Sequence, residues 1–85
     1  MQVLLIDDER AIRRALREIL EFESCTVEEA ENGAQALDLL KAKTYDLIFS
    51  DIKMPQMDGL ELLDQILAQG IETPVIMISG HGTVE

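Results

Sequence analysis

The 85-residue chain predicts an α/β fold built on an open parallel sheet, and three observations carry that prediction. Short apolar runs alternate with segments whose apolar residues recur at helical spacing, in the order β-α-β-α-β-α-β. The first and third runs, "VLLI" and "LIF", lack the one-sided polarity of a strand with a wet face, which suggests burial on both sides. Both runs then finish on acids, Asp7, Asp8 and Glu9 after the first and Asp51 after the third. A carboxylate is expensive to take out of water, so its place at the end of a buried strand needs a reason.

Taken in order, Val3 to Ile6 forms the first strand. From Glu9 onward, Ile12, Leu16, Ile19 and Leu20 fall at helical spacing with Arg10, Arg13, Arg14 and Arg17 between them, an amphipathic helix of about four turns. Acids at its start and arginines further along suit the helix dipole. "CTVEEA" reads as a shorter, weaker strand, placed near an edge by its two glutamates. Asn32-Gly33 is a turn signal. Ala36, Leu37 and Leu40 mark a second helix that ends near Lys43, and Tyr45 to Ser50 is the third strand. Asp58-Gly59 opens a third helix carrying Leu60, Leu62, Leu63, Ile66 and Leu67, with Asp58 as its cap and Gly70 closing it. Thr73-Pro74 leads into "VIMIS", the fourth strand, and "GHGTVE" follows. No repeat, linker or low-complexity segment interrupts the pattern, so residues 1–85 read as one domain.

Composition narrows the function. A domain of this size buries about 60 to 70% of the surface its unfolded chain exposes, which leaves a narrow stability margin. Apolar residues make up 47% of the chain, as in a globular protein. Seven basic residues against seventeen acidic ones give a net charge of −10. That charge repels nucleic acid and anionic membranes and favours a metal cation or a cationic patch on another protein. Cys25 is the only cysteine, which excludes an intramolecular disulfide and suits a reducing cytosol; it reads as a small buried apolar residue. The N-terminal apolar run has no basic segment ahead of it, unlike a secretory signal, and no apolar stretch is long enough to span a bilayer.

In an open parallel sheet, ligands bind beyond the carboxyl ends of the strands, where the strand order reverses. For an order 2-1-3-4 that point lies between the first and third strands. Asp7 and Asp8 end the first strand, Asp51 the third and Ser79 the fourth, so all four side chains converge on one crevice. Three carboxylates in one pocket repel each other, and without a cation at least one tends to take up a proton. Mg²⁺ relieves the repulsion, because it takes oxygen ligands from one or two carboxylates, waters and a phosphate. Taken singly, Asp8 or Glu9 reads as an acid at a helix start; the three aspartates with Ser79 read as a site.

"LLIDDE", "SDIKMPQMDGLELL" and "PVIMISGHG", in this order and at this spacing, resemble the receiver domain of two-component response regulators. The resemblance covers the whole chain, and the "ISGHGTVE" ending is most similar to receivers of nitrogen-regulation-type transcription activators. It implies a flavodoxin-like, CheY-like fold of order 2-1-3-4. It also implies that Asp51 accepts a phosphoryl group from a histidine of a sensor kinase, signalling to an output domain rather than turning over a substrate as an enzyme. Asp7, Asp8, Asp51 and the backbone carbonyl of Lys53 would then hold Mg²⁺, and Ser79 would hydrogen-bond the phosphoryl oxygen. Met54-Pro55 would shape the loop beside the site, while His81 reads as an exposed loop residue.

The sequence departs from the family after residue 85. Receivers continue with another helix, a fifth strand and a last helix, so the expectation is a C-terminally truncated fold. The family's fifth strand carries a lysine that contacts the phosphoryl group and an aromatic residue coupled to the Ser79 position. Here no lysine follows Lys53 and no aromatic residue follows Phe49, which implies impaired phosphorylation in this chain. "VIMIS" would become an edge strand, and self-association through it is expected. Three alternatives stand beside this reading. A phosphohydrolase with an aspartate nucleophile commonly has a second acid two residues on, where Lys53 stands. A flavin-binding domain would need a phosphate-cradling loop in place of the acidic one. A phosphorylation-silent interaction module is the third.

Overall fold

In the computed structural model, which describes residues 1–78, the first apolar run becomes the inner strand β1, Gln2–Ile6. Val3, Leu4, Leu5 and Ile6 are fully buried, as a run without polar alternation requires. Among the described residues three further parallel strands join it: β2 (Thr26–Ala30), β3 (Leu47–Asp51) and β4 (Val75–Ile78). Their lateral order is β2-β1-β3-β4, as the sequence predicts. Val3 stands opposite Val27 on one side and Leu47 on the other, and Phe49 stands opposite Ile76. The chain thus leaves β1 for one neighbour and returns past it to the other, which opens a crevice between the carboxyl ends of β1 and β3.

The connections are the helices α1 (Arg10–Phe22), α2 (Gly33–Ala42) and α3 (Gly59–Ala68). The two-residue period of the strands sorts the core into two layers. Val3, Leu5 and Val27 pack with Leu16 and Leu20 of α1, together with Cys25, Leu47 and Phe49. Leu4, Ile6, Ala30 and Ile48 pack on the opposite face with Ala36 and Leu40 of α2 and Leu62 and Ile66 of α3. Cys25 is only half-buried, though it packs against the core as a small apolar group.

Several local expectations need correction. Glu9 is the N-cap position of α1 but makes no side-chain capping bond, and the first and last turns of α1 carry no acid and no base respectively. The predicted complement to the helix dipole is therefore not formed: Arg10 is the first residue of the helix, and Arg13 and Arg17 reach Glu29 of β2 instead of the last turn. Asn32 is a helix cap rather than a turn residue, its side-chain oxygen accepting the Gln35 N–H at 2.8 Å. The third strand begins at Leu47 rather than Tyr45; Tyr45 is buried outside the ladder and donates its hydroxyl to Glu28. Asp58 caps α3 as predicted, within a reciprocal capping box with Glu61. Gly70 follows α3 with φ 75°, the left-handed conformation that glycine adopts without steric cost.

Candidate functional site

Asp7 follows β1 directly and is held on three sides. Its N–H donates to the Ala30 carbonyl of β2 at 3.1 Å, and its own carbonyl accepts from Arg13 of α1 at 2.7 Å. Its Oδ1 accepts the Glu9 N–H at 2.8 Å, an aspartate turn that aims the chain into α1. The second oxygen, Oδ2, is buried and has no hydrogen-bond partner among the described residues. Asp51, the last residue of β3, is fully buried across the crevice. Asp8 is exposed at the rim. One carboxylate oxygen each from Asp7, Asp8 and Asp51 lies within 4.8 Å of the other two. At that separation the buried pair Asp7–Asp51 repels by about 3 kcal/mol when both are ionised, taking an effective dielectric near 20.

Burial pushes the Asp7 carboxyl above the usual carboxylate range. The Glu9 N–H bond opposes that shift, and the charges of Asp51, Asp8 and Glu9 add to it. The donor set suits a hard divalent cation. Three carboxylates converge, and one buried oxygen finds no proton donor among the described residues although desolvation has already been imposed on it.

The structure brings together three of the residues singled out from sequence, Asp7, Asp8 and Asp51. Lys53 is exposed, two residues past β3, in a loop anchored by Met54, which is buried in the core between the sheet and α3. Ser79 and His81 lie outside the described residues. Sequence reasoning missed Arg13. Its Nε bonds Glu29 of β2 at 2.8 Å while another nitrogen holds the Asp7 carbonyl, so one guanidinium ties α1 and β2 to the site. The available signal was its place six residues after Asp7 on the helix leaving the site, but that signal does not tell Arg13 from Arg14.

The profile of the response regulator receiver domain matches residues 3–85. The chain belongs to this family. Among curated relatives, the response regulator MprA of Mycobacterium avium is 36% identical to this receiver over 84 residues, 99% of this chain and 37% of the relative. The receiver thus spans little more than a third of the curated relatives it matches. A receiver domain from a Francisella response regulator superposes with TM-score 0.86 at 36% identity, covering 89% of this chain and 63% of that one. The Thermotoga maritima response regulator TrrA, solved in complex with Mg²⁺–BeF, gives TM-score 0.85 at 35% identity over 94% of this receiver and 71% of its own chain. The Vibrio cholerae chemotaxis protein CheY4 gives 0.85 at 33% identity, over 89% and 65%. These neighbours agree with the CheY-like sheet order observed here.

Proposed function

We propose that this receiver domain takes a phosphoryl group onto Asp51 from a phosphohistidine of a sensor kinase. An Asp51 carboxylate oxygen attacks phosphorus in line, the P–N bond to the donor breaks, and its electron pair leaves with the imidazole. The product is an aspartyl phosphate. The observation that carries the reading is the convergence of Asp7, Asp8 and Asp51 within 4.8 Å at the switch point of the sheet. The match of "SDIKMPQMDG" to the family's phosphoacceptor segment supports Asp51 as the nucleophile.

Asp7, Asp8, Asp51 and the Lys53 carbonyl are the groups that would hold Mg²⁺, and Ser79 is the residue assigned to the phosphoryl oxygen. When bound, Mg²⁺ neutralises the carboxylates and the charge that develops on the transferred group. In this reading the domain is a signalling acceptor that works in the cytoplasm, and its partners are a sensor histidine kinase and an output domain. The nitrogen-regulation-type affinity rests on residues 78–85, and the curated relatives carry the name MprA instead. Self-association through β4 belongs to the same proposal. Among the described residues β4 lies at the sheet edge, with Ile76 exposed, and an open strand edge is a template for a second copy.

Incubation with Mg²⁺ and an acyl phosphate, followed by intact mass, tests the reading. A hydroxylamine-labile adduct is expected in the wild type and none in Asp51→Asn. An adduct that persists in Asp51→Asn overturns the assignment, and turnover of varied phosphate esters favours a hydrolase.

A further inference from the structure

Gly59 is the first residue of α3, and it lies against the peptide that leaves Asp51. A Cβ at this position would stand 2.3 Å from the Asp51 carbonyl oxygen, 3.1 Å from its carbonyl carbon and 3.0 Å from the Ile52 Cα. All three are backbone atoms, so no rotamer change clears them. The Gly59 N–H donates to the Ile52 carbonyl at 2.7 Å, and the Ile52 N–H donates to the Ile78 carbonyl of β4 at 3.1 Å. The buried Ser50 hydroxyl donates to the Asp51 carbonyl at 3.0 Å. The segment just past Asp51 is thereby held by α3, by β4 and by Ser50.

The backbone of Gly59 does not adopt a positive φ, so glycine is required here for space rather than for conformation. Helix propensity alone favours alanine over glycine by about 1 kcal/mol in a helix interior. Gly33 offers a comparison, since it is the first residue of α2 and is equally crowded. A Cβ there would meet the Met57 thioether sulfur at 2.5 Å, the far part of a flexible side chain.

We propose that Gly59, together with the Ser50 hydroxyl, is a positioning residue for Asp51: the bare α-carbon lets the end of α3 seat against the Asp51–Ile52 peptide and so sets where the Asp51 carboxylate stands relative to Asp7 and Asp8. The inference rests on the reading of Asp51 as the phosphoacceptor beside a Mg²⁺ site. A methyl at residue 59 needs about 1 Å more room than the native seat gives before it reaches ordinary contact with the Asp51 carbonyl oxygen. A displacement of that size lowers a rate about 100-fold when it moves a reacting group.

The test compares the wild type with Gly59→Ala, Gly33→Ala and Ser50→Ala. Four readouts are taken: the Mg²⁺ dissociation constant by calorimetry, the rate of adduct formation with an acyl phosphate, the urea midpoint, and hydrogen exchange at the Ile52 amide. Gly59→Ala is expected to weaken Mg²⁺ binding about tenfold and to slow adduct formation about 100-fold. Gly33→Ala keeps both at the wild-type level whatever its urea midpoint. Wild-type affinity and rate in a folded Gly59→Ala overturn the proposal. Should Gly59→Ala fail to fold, Ser50→Ala loosens the same carbonyl without adding bulk, and wild-type values there overturn it too. If the wild type itself takes up neither Mg²⁺ nor phosphoryl, the proposed function falls. The seat is then judged on the Ile52 amide alone: faster exchange in Gly59→Ala supports it and unchanged exchange overturns it.

Discussion

Asp7 has its amide, its carbonyl and one carboxylate oxygen committed to Ala30, Arg13 and Glu9, and the protein buries the remaining oxygen without a hydrogen-bond partner among the described residues. Such a group is a liability to the fold. Asp7→Asn removes one charge from the repelling set and is expected to stabilise the protein by about 1–3 kcal/mol at neutral pH, measured by urea unfolding. The same substitution should abolish stabilisation by Mg²⁺. The pH dependence has a definite sign. The folded protein holds the Asp7 proton more tightly than the unfolded chain, whose value is 3.8, so its contribution to stability falls as pH rises from there through the raised folded value. Asp7→Asn is expected to flatten that part of the profile. The repulsion among the acids could be read from residue order; Arg13 could not. The acids were legible as acids, but the partners that lock Asp7 come from β2 and α1, and only folding brings them together.

At the scale of elements, β2 repays its two glutamates. They face opposite sides of the strand, and each finds its own partners. Glu29, on the Val27 face, bonds Arg13 at 2.8 Å and Arg17 at 2.6 Å. Glu28, on the Ala30 face, accepts from the Tyr45 hydroxyl and from Lys43 at 3.0 Å, while the Lys43 ammonium lies 5.3 Å from the centre of the Tyr45 ring. Burial, then the Glu28 bond, drives the Tyr45 hydroxyl well above its ordinary value, so it stays protonated and donates. Bonds from Arg17 and Arg13 hold Glu29 below the unfolded value of 4.5. The stability it contributes is therefore present above that value and lost as pH falls through the lowered folded one. Glu29→Gln is expected to cost about 1 kcal/mol at neutral pH and nothing at low pH, read from urea midpoints across the acid range. Asp58→Ala should cost about 1 kcal/mol by removing the cap of α3, with Mg²⁺ affinity retained, which calorimetry checks. Sequence spacing was enough to find these helices and strands. It placed the start of the third strand two residues early because Tyr45 is apolar enough to extend the run, although its hydroxyl commits it to Glu28.

At the largest scale, among the described residues the parallel sheet carries one helix over one face and two over the other, and it leaves β2 and β4 at the edges. If β4 recruits a second copy, Ile76→Lys is expected to convert a concentration-dependent assembly into a monomer, as light scattering would show; a wild type that is monomeric at every concentration overturns that part of the proposal. Mg²⁺ at about 100 times its dissociation constant should stabilise the wild type by about 2.7 kcal/mol through mass action, and Asp51→Asn by less. Among the described residues no helix is long and apolar enough to cross a membrane.

By itself, the order of residues determined the α/β alternation, the buried inner strands and the acids that end them. Those features depend on neighbours along the chain and on a period of two or 3.6, which local sequence expresses directly. The tertiary structure decided which oxygen of Asp7 is left over, which arginine holds its backbone carbonyl, and that a helix must begin on a bare α-carbon to seat Asp51. Each of these is a distance in space that spacing along the chain does not fix, set when the sheet closes β1 against β3 and α3 settles on the end of β3.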